Sequence, residues 1–134
     1  MQTVMTEAAL SARLRAAMLG DAAAQAHFVK RGRGFSAGWI VRVGTTAHWI
    51  RCDQGRVVEC RIGLPLMIDS RLSFNGSAAA WDEFWQPVPR AGWHDLLALS
   101  KRGELTFEGD MQLMLSNLQY LKDLLALPRT EVRT

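Results

Sequence analysis

Between residues 35 and 62 the chain changes period to two, in three short runs separated by tight turns, and few folds satisfy that pattern. Over 35–43, Trp39, Val41 and Val43 share one face. Over 45–52, His48, Ile50 and Cys52 share a face with Trp49 opposite. Asp53-Gln54-Gly55 then reverses the chain, and glycine accepts the positive φ such a turn needs. Over 57–62, Val58, Cys60 and Ile62 oppose Val57, Glu59 and Arg61. Three consecutive alternating runs with short turns predict an antiparallel meander. Gly63 and Pro65 interrupt it, and 67–75 reads as a fourth strand, with Ile68, Leu72 and Phe74 on one face.

Helical spacing flanks this block. Thr6 can cap a first helix in which Leu10, Leu14, Ala17 and Met18 recur on one side until Gly20. Asp21 can cap a second over 22–29. After the Asn75-Gly76 turn, Ser77 can cap a helix with Ala78, Trp81, Phe84 and Trp85 on one face, and Pro87 and Pro89 stop it. Residues 92–100 read as another helix, with Trp93, Leu96, Leu97 and Ser100 together. A fifth strand at 104–108 turns Leu105 and Phe107 inward. Asp110 then caps a long helix over 111–127, whose apolar face carries Met111, Met114, Leu115, Leu118, Leu121, Leu124 and Leu125. Pro128 stops that helix, and 128–134 reads as a frayed tail. These elements predict one α+β domain over 1–134, with helices in 1–34.

A chain of 134 residues folds without a disulfide or metal, because it buries roughly two-thirds of its unfolded surface. Its net charge of +3 is scattered, which argues against nucleic acid as a partner. No run approaches the ~18 apolar residues of a membrane span. The first ten residues lack a charged segment followed by an apolar one, so a soluble cytoplasmic protein with reduced thiols is expected. Five Trp and six Met against one Tyr suit either a dense core or a cavity for ligands of variable shape.

Catalytic chemistry finds little purchase. His27, His48 and His94 are far apart, so no metal site is expected. Counting back from the Gly55 turn places Cys52 near Val57 or Arg56, which argues against a Cys52–Cys60 disulfide. The same count places Trp49 or His48 opposite Cys60, and His48–Cys60 is the one conceivable nucleophile–base pair. No Gly-x-Ser-x-Gly, His-Glu-x-x-His or phosphate-binding loop occurs.

Three segments, in order, carry a likeness to a known family. Gly103-Glu104-Leu105-Thr106-Phe107-Glu108-Gly109-Asp110-Met111 resembles the signature strand and turn of the sterol carrier protein type 2 family. Asp95-Leu96-Leu97-Ala98-Leu99 resembles the short helix before that strand, and Trp49-Ile50-Arg51-Cys52-Asp53-Gln54-Gly55 the family hairpin. The likeness spans about residues 35 to 127. Pro87-Val88-Pro89 and the Trp-rich helices look more like bacterial stand-alone relatives than eukaryotic sterol carriers.

That resemblance implies a five-stranded, mostly antiparallel curved sheet, covered on one face by helices, with an apolar tunnel between the layers. It implies non-catalytic binding and transfer of a fatty acid, acyl-CoA, sterol-like or other long apolar ligand, with no cofactor. The expected lining is Trp81, Phe84, Trp85, Trp93, Leu97, Phe107, Met111, Met114, Leu118 and Leu121, residues an ordinary core would also use. A second reading is an accessory domain that binds a protein partner, which an exposed Trp39 or Trp93 would favour.

Overall fold

The structure, a computed structural model, describes residues 6–20, 29–66 and 68–130. The helix expected over 22–29 lies essentially outside the described residues, as does the last part of the tail. The described elements are α1 (Glu7–Met18), β1 (Ala37–Val43), β2 (Thr46–Asp53), β3 (Arg56–Ile62), β4 (Ser70–Gly76), α2 (Ala78–Phe84), α3 (Leu96–Lys101), β5 (Leu105–Gly109), α4 (Met111–Ser116), α5 (Leu118–Leu125) and α6 (Leu127–Thr130).

The five strands form one sheet in the order β3-β2-β1-β4-β5. The meander β1–β2–β3 is antiparallel, as its turns require, and so is β4–β5, whereas β1 and β4 run parallel. Gln54 (φ 51°) and Gly55 (φ 85°) make the β2–β3 turn, and Ser36 Oγ accepts from Gln54 N at 2.8 Å, supporting the unusual glutamine backbone. Gly55 admits no side chain, since an added Cβ would meet the Val29 carbonyl oxygen at 2.7 Å.

One face of the sheet carries the core. Trp39, Val41, Val43, Ile50, Cys52, Leu72, Phe74 and Leu105 are buried with Leu10, Leu14 and Met18 of α1 and with the later helices. β3 departs from the expected alternation. A bulge shifts its register between Arg51 and Cys52, leaving Val58 unpaired, and at the sheet edge both Val58 and Ile62 stay exposed.

β3 and β4 both run parallel to β1, yet β2 and β1 lie between them, so residues 63–69 must cross a face of the sheet. A right-handed crossover, the strongly preferred hand, passes over the face without helices. It explains why Ile40 and Trp49, which point to that face, are only 5% and 7% exposed. It also explains why β4 begins at Ser70, three residues later than the alternation suggests.

Three helical expectations change. Gly92 adopts φ 85°, outside the helical range, so α3 begins only at Leu96; it buries Leu96 and Leu99, not Leu97 and Ser100. The helix expected over 111–127 is three helices. At Asn117 the side-chain amide donates to the Leu113 carbonyl at 3.0 Å, while the backbone N–H tightens onto the Met114 carbonyl at 3.2 Å. A local side-chain bond thus replaces the helical one, and Asn117 leaves the helical backbone range (φ −122°). Pro128 does not end the structure: it occupies the first turn of α6, where no helical N–H is needed, and is buried.

Candidate functional site

The residues expected to line an apolar site fall into three groups. Trp81 and Phe84 of α2, Trp85 at its C-cap and Leu121 of α5 are buried. The Trp81 and Trp85 rings stack at 5.0 Å, and Phe84 meets Trp81 edge-on at 5.8 Å. Each indole N–H is satisfied: Trp81 Nε1 donates to the Arg42 carbonyl (2.8 Å) and Trp85 Nε1 to the Leu125 carbonyl (2.7 Å). Buried indoles need such partners, and here the partners fix the rings in place.

The second group lies at the β5 edge. Phe107 is half-buried on the core face and closes an aromatic row, 5.3 Å from Phe74, which is 5.5 Å from Trp39. From there the chain enters α4. Asp110 caps it, accepting from Leu113 N at 3.0 Å and pairing with Arg71 at 2.7 Å, and both contacts hold its carboxyl below the usual range. Met114 is buried and Leu113 and Leu118 half-buried, while Met111 is 37% and Leu115 60% exposed. The helix break at Asn117 separates the two faces: α5 buries Tyr120, Leu121, Leu124 and Leu125, whereas α4 buries Met114. Of the apolar pattern over 111–127, Met111 and Leu115 therefore turn to solvent.

Trp93 and Leu97 are half-buried. Trp93 sits in the turn before α3, with the guanidiniums of Arg90 (5.2 Å) and Arg102 (4.9 Å) both lying over its ring. Trp39 is fully buried.

The conceivable Cys–His pair does not form. The bulge brings Ile50, not Trp49 or His48, opposite Cys60. Burial pushes the Cys60 thiol up to about 12 and also raises that of Cys52. Cys52 lies opposite Val57, as the turn count indicates, and both thiols are free. His48 is engaged elsewhere: the Val41 carbonyl accepts from Nδ1 at 2.9 Å, so Nε2 accepts the Ser11 hydroxyl at 2.6 Å.

Sequence periodicity missed Tyr120, whose buried hydroxyl donates to the Gly55 carbonyl at 2.6 Å and ties α5 to the β2–β3 turn. The signal available was Gly32, which has no Cβ because the Tyr120 ring occupies that space. No described helix is long and apolar enough to cross a membrane.

No protein-family model matches the chain, and no curated protein matches it in sequence. Solved structures do match in shape. A sterol carrier protein 2 crystal structure aligns with a TM-score of 0.64 at 17% identity, over 92% of this chain and 95% of that one. The ubiquinone synthesis protein UbiJ-SCP2 aligns at 0.54 and 18%, over 90% and 88%. Apo sterol carrier protein 2 from Yarrowia lipolytica aligns at 0.57 and 9%, over 96% and 98%. These alignments run over nearly the full length of both chains, and the chain is a sterol carrier protein 2-like protein in fold.

Proposed function

We propose that the chain binds a lipid or other long apolar molecule between its sheet and the helices of its C-terminal half, and carries it without chemistry. The observation that carries this reading is the uneven burial of the apolar pattern. Around α2 and α5 the core is closed by rings in contact, whereas Phe107, Met111, Leu113, Leu115 and Leu118 at the β5 edge keep apolar surface in water. A six-residue helix with that much solvent-facing surface is the part of the core least costly to displace. Moving α4 outward would admit a tail between Phe107 and Met114, against Leu118 and Leu97, with the Trp81–Phe84–Trp85 cluster and Leu121 as the floor. The fold shared with proteins called sterol carriers supports this reading.

Apolar burial alone is sufficient. Each buried methylene contributes about 0.8 kcal/mol, so a tail of roughly sixteen carbons contributes on the order of 12 kcal/mol gross. Lost freedom and ordering remove several kcal/mol, leaving affinity near micromolar or better.

A fluorescent fatty acid titrated into purified protein tests this. Saturable binding that unlabelled fatty acid displaces is expected. Met114→Trp, which fills the space behind α4, lowers that affinity about tenfold or more while the fold persists by circular dichroism. Absence of displaceable binding by the parent protein overturns the carrier reading. A folded Met114→Trp that binds like the parent removes Met114 from the lining.

A further inference from the structure

The crossover between β3 and β4 is built of residues that a solvent-facing connection does not need. From Ile62 to Ile68 the sequence is Ile-Gly-Leu-Pro-Leu-Met-Ile, with no charged or hydrogen-bonding side chain. Ile62 and Leu64 are exposed, and Leu66 is 94% exposed. Leu64 and Leu66 project from the connection itself, whereas Ile62 alternates with Arg61 on β3 and stands on the other face of that edge strand. A projecting leucine next to Pro65 makes a wedge, not a groove, so its fitting medium is one that yields around it.

The helix-free face of the sheet, which the connection spans, presents guanidiniums. Arg42, Arg51, Arg61 and Arg71 stand on β1, β2, β3 and β4 at positions that point away from the helices. Glu59 faces both Arg51 (3.7 Å) and Arg61 (3.6 Å), and one carboxylate cannot neutralise two cations. Arg71 pairs with Asp110, and Arg42 donates to the neutral Ser73 and Asn75, with Asn75 in turn bonded to Glu108. Asp69 is exposed at the end of the crossover. The surplus of positive charge lies at β2–β3, where the apolar run begins.

We infer that this helix-free face docks on anionic lipid bilayers, with Leu66 and Leu64 entering the acyl boundary and Arg51 and Arg61 meeting headgroup phosphates. The inference rests on the carrier reading, which requires a source of apolar ligand, and it places contact with the bilayer on the face opposite the proposed ligand site.

Co-sedimentation of the full chain with vesicles of equal parts phosphatidylcholine and phosphatidylglycerol tests it. The parent protein pellets with these vesicles and less with phosphatidylcholine alone. Leu66→Asp weakens partitioning about tenfold, because an inserted leucine becomes a charge. Arg61→Glu weakens it on the anionic vesicles only. Leu66 makes no buried contact, so the variant keeps the parent's unfolding midpoint and its binding of the fluorescent fatty acid in vesicle-free buffer. A parent protein that stays in the supernatant overturns the inference, as does a Leu66→Asp variant that pellets equally. A parent that elutes as a dimer, made monomeric by Leu66→Asp, also overturns it, in favour of contact between copies of the chain. If vesicle binding fails while fatty-acid binding holds, the docking face falls and the carrier reading stands.

Discussion

His48 is sealed beneath α1, and burial holds its imidazole below its ordinary value of 6.5, against the opposing pull of the Val41 carbonyl. The sign follows from linkage. The unfolded chain takes up a proton as pH falls below about 6.5, whereas the folded chain resists it until lower pH. The stabilisation from keeping His48 neutral is complete above that value and drains away below it. The urea midpoint therefore drops between pH 7 and pH 5, and His48→Gln flattens the drop. Glu7 and Asp110 contribute at lower pH. Thr45 and Thr46 hydroxyls depress the Glu7 carboxyl, and the α4 cap and Arg71 depress that of Asp110, so their share is full above the ordinary carboxylate range and is lost as pH falls through it toward the depressed folded values. Gly32 poses a steric test at the same scale. Its missing side chain makes room for a tyrosine ring whose hydroxyl is anchored to Gly55, so Gly32→Ala costs roughly 1–3 kcal/mol, read from denaturant unfolding.

Among the elements, α4 is the one whose stability bears on the proposed binding. Removing its cap with Asp110→Ala loses the bond to Leu113 N and the Arg71 pair, and lowers the urea midpoint. Fluorescent-ligand association and dissociation both quicken in that variant, since a looser α4 opens more often. The elements were legible wherever a local rule decided them. The caps Thr6, Ser77 and Asp110 all bond as the sequence implies, and the meander follows from alternation and turn chemistry. What escaped depends on distant or competing partners. No helix breaker marks Asn117; its amide outcompetes the backbone only in the folded geometry. The bulge at Val58 slides every later pair on β3 by one, which moved Cys60 away from Trp49 and His48. Trp93 has helical spacing from Leu96 and Leu97, yet Arg90 and Arg102 lie over its ring across a turn set by Gly92.

At the scale of the molecule, α2 is where the two ends of the chain are fastened. Arg13 of α1 donates to the Trp85 carbonyl at 2.9 Å and the Pro128 carbonyl at 3.0 Å, and Arg129 donates to the Phe84 carbonyl at 2.7 Å while lying over the Phe84 ring. The last carbonyls of a helix want donors, and cations suit that end. Arg13→Leu removes two charge-assisted bonds from the carbonyls of two buried residues and lowers stability by roughly 1–3 kcal/mol, measurable by urea titration.

The parallel pairing of β1 with β4 has a consequence for biosynthesis. The sheet's middle strand gains its second neighbour only after Ser70–Gly76 has left the ribosome. A nascent chain stopped at Ile62 carries a raw flank through what will become its centre, a template for wrong partners. Such a fragment clumps or recruits a chaperone where the finished polypeptide stays dispersed.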